Sequence, residues 1–514
     1  MHLIKKRCLP FIGVLLTIWL CFAQLGSSAS AYTFTPDFSI HSEAAIVYSQ
    51  DADMIVYEKN ADKAEMPAHL IQIVTALVVM DLCDTPDTTT ITANEDLYTP
   101  FYSYDYPDDL RYAQIYNGDT LTVTEYLYAL TLTSSCEAAA PHLADHFGNG
   151  NQDVFVKKMN EKVAEIGCTD TVIQNPTGLY DAKQTTTARD MLKITQYALE
   201  QDWFNTISNT VSYTPTSANP TNHPDAAAWI WTHSNTMLLK GEEVYYEGAS
   251  GIKTGNLTEA GRNIITSAAK EDHHYLIILL NAPFTDEDDA LQYYHIEDAT
   301  DLLNWAFSSL SYQTLLDCEK EQGEVSVENS EDNAFVLVRP KENCILLWCE
   351  DVDPSIIKYE RTLEKSVQAP VKKGDVLGTL ELKYAGDEIA KVDLVAINDV
   401  DRSFSKFNLY ALTNFKNSPY FHYALLLATA LSMIYIFVCL YASMKNKQKN
   451  KPEDPIHLIP KAVHLEQSEE KEVPKEKPLR PYQRSEPVFY RRPTNPKQAD
   501  SKQKDNSSSM HPDK

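Results

Sequence analysis

The chain has 514 residues, 43% of them hydrophobic and 23% charged, enough for two or three domains with a sizeable buried core. Its formal net charge of −27 is unevenly spread: three basic and no acidic residues in 1–31, 16 basic and 11 acidic in 445–514, and 26 basic against 61 acidic between them. So acidic a middle argues against nucleic acid as a partner, because that binding needs basic contacts to phosphates.

The first 31 residues read as a secretory signal: Lys5-Lys6-Arg7, an apolar run from Phe11 to Phe22, then Ala29-Ser30-Ala31 as a small-residue cleavage site. Ala44 to Tyr48 and Met54 to Tyr57 are strand-like runs joined by the turn-rich Gln50 to Asp53, a hairpin pattern. Met66 to Met80 follows, with Pro67 suited to open a helix and apolar residues on nearly every side. Only His69 and Gln72 interrupt the run, three apart and so on one helix face. Alone, they fit two satisfied polar residues at the mouth of a core helix.

Asp84 to Asp119 lacks periodicity and reads mostly as loop. Leu121–Ala144, Val154–Ile166, Thr187–Leu199 and Asp288–Phe307 read as helices, Gly248–Gly255 and Asn263–Ala269 as a strand pair, and Tyr275–Leu280 as a buried strand. Strands at both ends with helices between predict an α/β domain over 32–310. From 311 to 402, strand-length segments such as Phe335–Val338, Ile345–Trp348, Ile356–Tyr359, Leu380–Tyr384 and Val392–Val395 predict a small all-β domain.

Residues 403–420 form an amphipathic juxtamembrane segment, and 421–444 a span without a charged side chain. Lysines 445, 447, 449 and 451 follow, which places the last 70 residues in the cytoplasm by the positive-inside rule. That tail, rich in Pro, Lys, Glu and Ser, is expected to be disordered and could hold a cytoplasmic partner. The six cysteines of the exported part allow one or two bridges, Cys344 and Cys349 being the nearest pair, and they lack metal-ligand spacing. His273-His274 would point to opposite faces of a strand, so neither a metal nor a cofactor is expected.

Three segments occur in a telling order: Pro67 to Gln72, Ser134-Ser135-Cys136, and Glu247 to Gly255 with Lys253-Thr254-Gly255, followed by Glu259-Ala260-Gly261. They resemble the Ser-x-x-Lys, Ser-x-Asn and Lys-Thr-Gly motifs of penicillin-binding proteins, and more narrowly the D-alanyl-D-alanine carboxypeptidases of the peptidase S11 family. Gly118 to Val123, Asn175 to Leu179, Thr186 to Asp190 and Ala369 to Asp375 extend the likeness, which covers about residues 35–403. The resemblance implies a β-lactamase/transpeptidase-like fold, an antiparallel sheet flanked by helices, then the all-β domain, to which the apolar span adds one C-terminal transmembrane helix. The signal and the span predict an ectodomain outside a single-pass membrane anchor, and the resemblance implies a peptidoglycan stem peptide or a β-lactam-like molecule as ligand.

In such enzymes a serine attacks the peptide carbonyl and a lysine one turn later takes its proton. The Lys-Thr-Gly strand offers a cation and a hydroxyl to the terminal carboxylate. Here Lys253, Thr254, Gly255 and Ser134 match, but Cys136 stands where asparagine is expected, His69 replaces the nucleophile and Gln72 the base. Ser355-x-x-Lys358, Ser403-x-x-Lys406 and Ser501-x-x-Lys504 fit the bare first motif but fall after Lys253, out of order. Two readings follow: a catalytically silent relative that binds stem peptides or a partner, or a working carboxypeptidase with His69, Ser134 or Cys136 recruited into a rearranged site.

Overall fold

The computed structural model describes residues 32–98, 112–134, 137–331 and 334–449. The signal segment, Ser135, Cys136 and the tail from residue 450 lie outside the described residues.

The hairpin forms as expected, β1 (Ala44–Ser49) pairing antiparallel with β2 (Met54–Lys59). The apolar run then opens with a 3-10 turn, Ala68–Ile71, with Pro67 at its N-cap, before becoming α1 (Gln72–Leu82). Ile73, Val74, Ala76, Leu77, Val78 and Val79 are all buried, which explains the lack of a polar face. Short strands β3 (Thr90–Thr92) and β4 (Thr120–Thr122) pair across the following loop.

The helical stretch at 121–144 is two helices, α2 (Val123–Leu132) and α3 (Ala139–Phe147). A capping box between Thr122 and Glu125 starts α2. Ser134, with φ +59°, cannot continue it. Two further helices obey their own sequence signals. α4 (Gln152–Ile166) is capped by Asn151 and closed by Gly167 at φ +91°, and α5 (Ala188–Leu199) is capped by Thr187. α6 (Asp202–Ser208), not evident from periodicity, and the short pair β5 (Ser212–Tyr213) and β6 (Trp231–Thr232) lead to the remaining sheet.

β7 (Ala249–Leu257), β8 (Gly261–Lys270) and β9 (His273–Ala282) complete a five-stranded antiparallel sheet, ordered β2-β1-β9-β8-β7. β9 is apolar and buried from Tyr275 to Leu280 because both its faces are covered there. Leu276, Ile278 and Leu280 join the core with α1 to α5, while Tyr275, Ile277 and Leu279 face Ile296, Leu302 and Leu303. Those three lie on α7, which spans Tyr294–Ser309 and starts six residues later than its sequence suggests. The Asp286 carboxylate accepts from the backbone N–H of Asp288 and Ala290 and from Gln292, holding 286–292 as a loop.

The C-terminal β region comprises β10 (Leu310–Leu316), β11 (Gly323–Glu328), β12 (Phe335–Pro340), β13 (Cys344–Cys349), β14 (Lys358–Leu363), β15 (Ser366–Gln368), β16 (Val376–Tyr384) and β17 (Asp387–Ala396). A 3-10 turn at Pro354–Ile356 delays the strand expected from Ile356. Six strands form one sheet, β14-β16-β17-β12-β11-β15, and β10 pairs with β13. Cys344 and Cys349 stand at opposite ends of β13, five residues apart, so no bridge can join them; Cys83, Cys168 and Cys318 are free as well. Beyond it lie an amphipathic helix, α8 (Phe404–Asn417), and an apolar helix, α9 (Pro419–Lys449), whose residues 419–446 are long and apolar enough to cross a bilayer.

Candidate active site

His69 sits in the 3-10 turn that precedes α1, at the position of the expected nucleophile, and is fully buried. Neither of its ring nitrogens has a hydrogen-bond partner. Burial, reinforced by the nearby Lys253 ammonium, pushes its pKa down to about 3, so the imidazole is neutral at physiological pH. Gln72, one turn on, donates from Nε2 to Thr177 O at 2.8 Å and to Ser134 O at 3.3 Å. An amide so placed ties two loops to the helix, but its nitrogen lone pair is delocalised and cannot take a proton.

The loop that receives Gln72 is built to press on the turn. Asn175 Oδ1 accepts from the backbone N–H of Thr177 and Gly178, and Thr75 Oγ1 donates to Pro176 O at 2.7 Å. Gly178 adopts φ +85°, and a Cβ there would stand 2.3 Å from Ala68 O. Gly178→Ala is therefore expected to lower stability by about 3 kcal/mol, from the left-handed backbone and the clash together. Chemical denaturation would show it as a lower midpoint at unchanged slope.

Ser134 and Lys253 meet from the other side. The Lys253 ammonium donates to Ser134 Oγ and, at 3.3 Å, to Thr254 O. Ser134 Oγ in turn donates to Thr254 O at 3.2 Å, so the serine proton points at a carbonyl and away from any base. β7 is the edge strand of the sheet, and its Thr254 carbonyl is already bound by Ser134 and Lys253. Gly255 lets it approach the turn closely, since a Cβ there would be 2.9 Å from His69 N. Thr254 Oγ1 points the other way and donates to Ser234 Oγ at 2.6 Å.

His69, Ser134 and Thr254 thus converge on one cavity of about 410 Å³, lined also by Ser234, Asn256, Arg262 and His295. Lys253, Gly255 and Gln72 stand behind that lining. Cys136 lies outside the described residues. The out-of-order pairs at 355 and 403 are remote: Ser355 is in the turn before β14, and Lys406 donates to Glu331 O. Sequence reasoning did not single out Ser234, Arg262 or His295. An arginine directly after Glu259-Ala260-Gly261 was the available signal for the second of these.

Residues 30–284 match the family model for D-alanyl-D-alanine carboxypeptidase, peptidase S11, and residues 311–402 match that for the penicillin-binding protein 5 C-terminal domain. The chain belongs to the peptidase S11 family. Its curated relatives include D-alanyl-D-alanine carboxypeptidase DacF of Bacillus subtilis, 26% identical over 419 residues, which are 80% of this chain and 100% of that protein. D-alanyl-D-alanine carboxypeptidase DacA of Escherichia coli is 24% identical over 365 residues, covering 70% of this chain and 84% of the other. The solved structure of D-alanyl-D-alanine carboxypeptidase DacD from Francisella tularensis shares the fold, with a TM-score of 0.50 and 19% identity over 71% of this chain and 95% of the other. This peptidase S11 member therefore carries the family's fold.

Proposed function

We propose that this peptidase S11 member is a membrane-anchored binding protein of the cell wall, which recognises peptidoglycan stem peptides, or a protein partner carrying similar chemistry, without hydrolysing them. The observation that carries this reading is the first motif. A neutral imidazole and an amide already bound to two carbonyls stand where a hydroxyl and an amine must act as a unit. Loss of the nucleophile in such a machine reduces the rate about 10⁶-fold, on the order of 8 kcal/mol. What remains, an edge strand carrying Lys253, Thr254 and Gly255 beside the cavity, supports binding. Incubating the purified full-length protein with a pentapeptide ending in D-Ala-D-Ala should release no D-alanine above the rate without protein, while the peptide binds reversibly by calorimetry. Release at an enzymatic rate would overturn the reading.

A second reading rests on Ser134 and Lys253, a hydroxyl–amine contact between the cavity lining and the residue behind it. It would make Ser134 the nucleophile of a rearranged carboxypeptidase. Against it, the lysine donates to the serine and the serine donates to Thr254 O, a backbone carbonyl that cannot serve as a base.

The apolar helix and the basic tail extend the proposal to topology. The ectodomain faces outward and residues 445–514 face the cytoplasm, where Leu479 to Tyr482 and Val488 to Arg492 offer aromatic and basic contact points. Protease added to intact cells after wall removal should digest the ectodomain and spare a C-terminal epitope. Loss of that epitope would reverse the orientation.

A further inference from the structure

A second cavity, of about 580 Å³, shares no lining residue with the one that holds His69, Ser134 and Thr254. Its size falls in the range of small-molecule sites, roughly 300–1,000 Å³. It opens where the core between the sheet and the helices ends. Ile265 on β8 still packs with α1 to α5, but two residues on, on the same face, stands Ser267. The register sets Ser250 of β7 directly opposite it, so two half-buried hydroxyls floor the cavity. Gly251 lets β7 press against the end of α6, since a Cβ there would stand 2.5 Å from Ser208 O, and this contact walls one side.

The remaining lining is polar and mostly neutral. Asp53 accepts from the Tyr48 hydroxyl, and Asp51, behind His274, accepts from the His274 backbone N–H at 2.6 Å and from Nδ1 at 2.9 Å. Glu200, exposed at the C-cap of α5, has no such pair and is the uncommitted carboxylate among the described lining residues. Asn209 Nδ2 donates to Asn205 O and Oδ1 at 2.9 and 2.8 Å, which leaves Asn209 Oδ1 as an acceptor. Gln50, exposed just after β1, keeps its side-chain amide available. No lysine or arginine lines the cavity, so it does not suit an anion. One carboxylate among several amides and hydroxyls does not build a cage for an amine either. Small neutral donors and acceptors spread around the lining match a saccharide, whose hydroxyls each donate and accept. The Gln50 and Asn209 amides complement an acetamido group in the same way.

We infer that this cavity is a second binding site, for a neutral N-acetylated hexosamine chain such as a glycan strand of the cell wall. The Ser250 and Ser267 hydroxyls and the Gln50 amide hold sugar hydroxyls, and Glu200 accepts from a vicinal pair. Saccharide binding there needs nothing from the first motif and stands whether or not the peptide cavity is filled. Ser250 and Thr254 are four residues apart on β7, about 13 Å, so one strand carries sugar at one end and faces the peptide cavity further along.

The test titrates the full-length protein, in a detergent without a sugar head group, with N,N′-diacetylchitobiose. Binding should saturate, and Gln50→Ala combined with Ser267→Ala should weaken it about tenfold or more, as the loss of two or three hydrogen bonds implies. An unchanged affinity in the folded double variant overturns the assignment, and so does the absence of saturable binding to the wild type. Should the variant not fold, hydrogen exchange of the wild type decides: the sugar must slow exchange in 202–209 and 266–274 and leave 68–72 unchanged. Protection elsewhere, without those two segments, sinks the site. A stem peptide ending in D-Ala-D-Ala must not displace the sugar, because displacement would put the sugar in the peptide cavity. Saturable binding of putrescine with none of the sugar would make this a site for amines and overturn the inference equally.

Discussion

His69→Ser combined with Gln72→Lys is expected to convert the protein into one that β-lactams acylate within minutes to hours, whereas neither substitution alone should give a detectable adduct. The reason lies in how the pair would act. A serine at the mouth of α1 needs a base one turn away, and a lysine at that turn has nothing to activate without the serine, so the two changes are strongly non-additive. Position 72 already faces Thr177 O and Ser134 O, two acceptors that would orient a lysine side chain toward the same spot. Gain over the wild type should reach at least about 10²-fold, part of the 10⁶-fold that a missing nucleophile removes. Acylation would be followed by gel fluorescence with a labelled penicillin. A double variant that folds yet stays inert would point to Cys136, and adding Cys136→Asn would then test the second motif.

The second large effect concerns acid. His69 and His295 are buried, with pKa values near 3 in the folded protein against about 6.5 when unfolded. Between those values the unfolded chain binds more protons than the folded one, so stability falls as the pH drops below 6.5 and goes on falling toward 3. From pH 6.5 to 4.5 each imidazole withdraws up to about 2–3 kcal/mol, a large share of a domain's total stability. Buried His142, whose pKa burial also lowers, adds to the same trend. His69→Gln should remove its part of this slope. Denaturant midpoints measured at pH 6.5 and 4.5 would converge in the variant; equal slopes for wild type and variant would refute the buried neutral imidazole.

Much of this site was readable in the chain because motif order survives large divergence. Lys253-Thr254-Gly255 needs a strand edge and a glycine for close approach, and both are present. The placement of His69 and Gln72 at the mouth of α1 was legible because Pro67 and the apolar run marked where the helix begins. Ser134 was legible as a motif residue but not as a break, since good helix formers flank it and only its φ of +59° ends α2. The start of α7 was hidden for a related reason: Asp286 captures three donors that helix-forming residues would have used internally. Arg262 lies beyond sequence reasoning of this kind. Its surroundings, a cross-strand partner with Phe284 and Tyr293, are brought together by tertiary packing. Proximity in sequence does not make Cys344 and Cys349 a bridge, because five residues of extended strand carry their side chains too far apart to bond.

The central claim, a peptide site without a working nucleophile, is tested most directly by the intact mass of the full-length protein after prolonged incubation with a β-lactam. The mass should be unchanged, because His69 is neutral but unassisted and the Ser134 proton is directed to Thr254 O. A stoichiometric increase equal to the antibiotic, mapping on digestion to Ser134, Cys136 or His69, would contradict the account and establish a rearranged enzyme in its place.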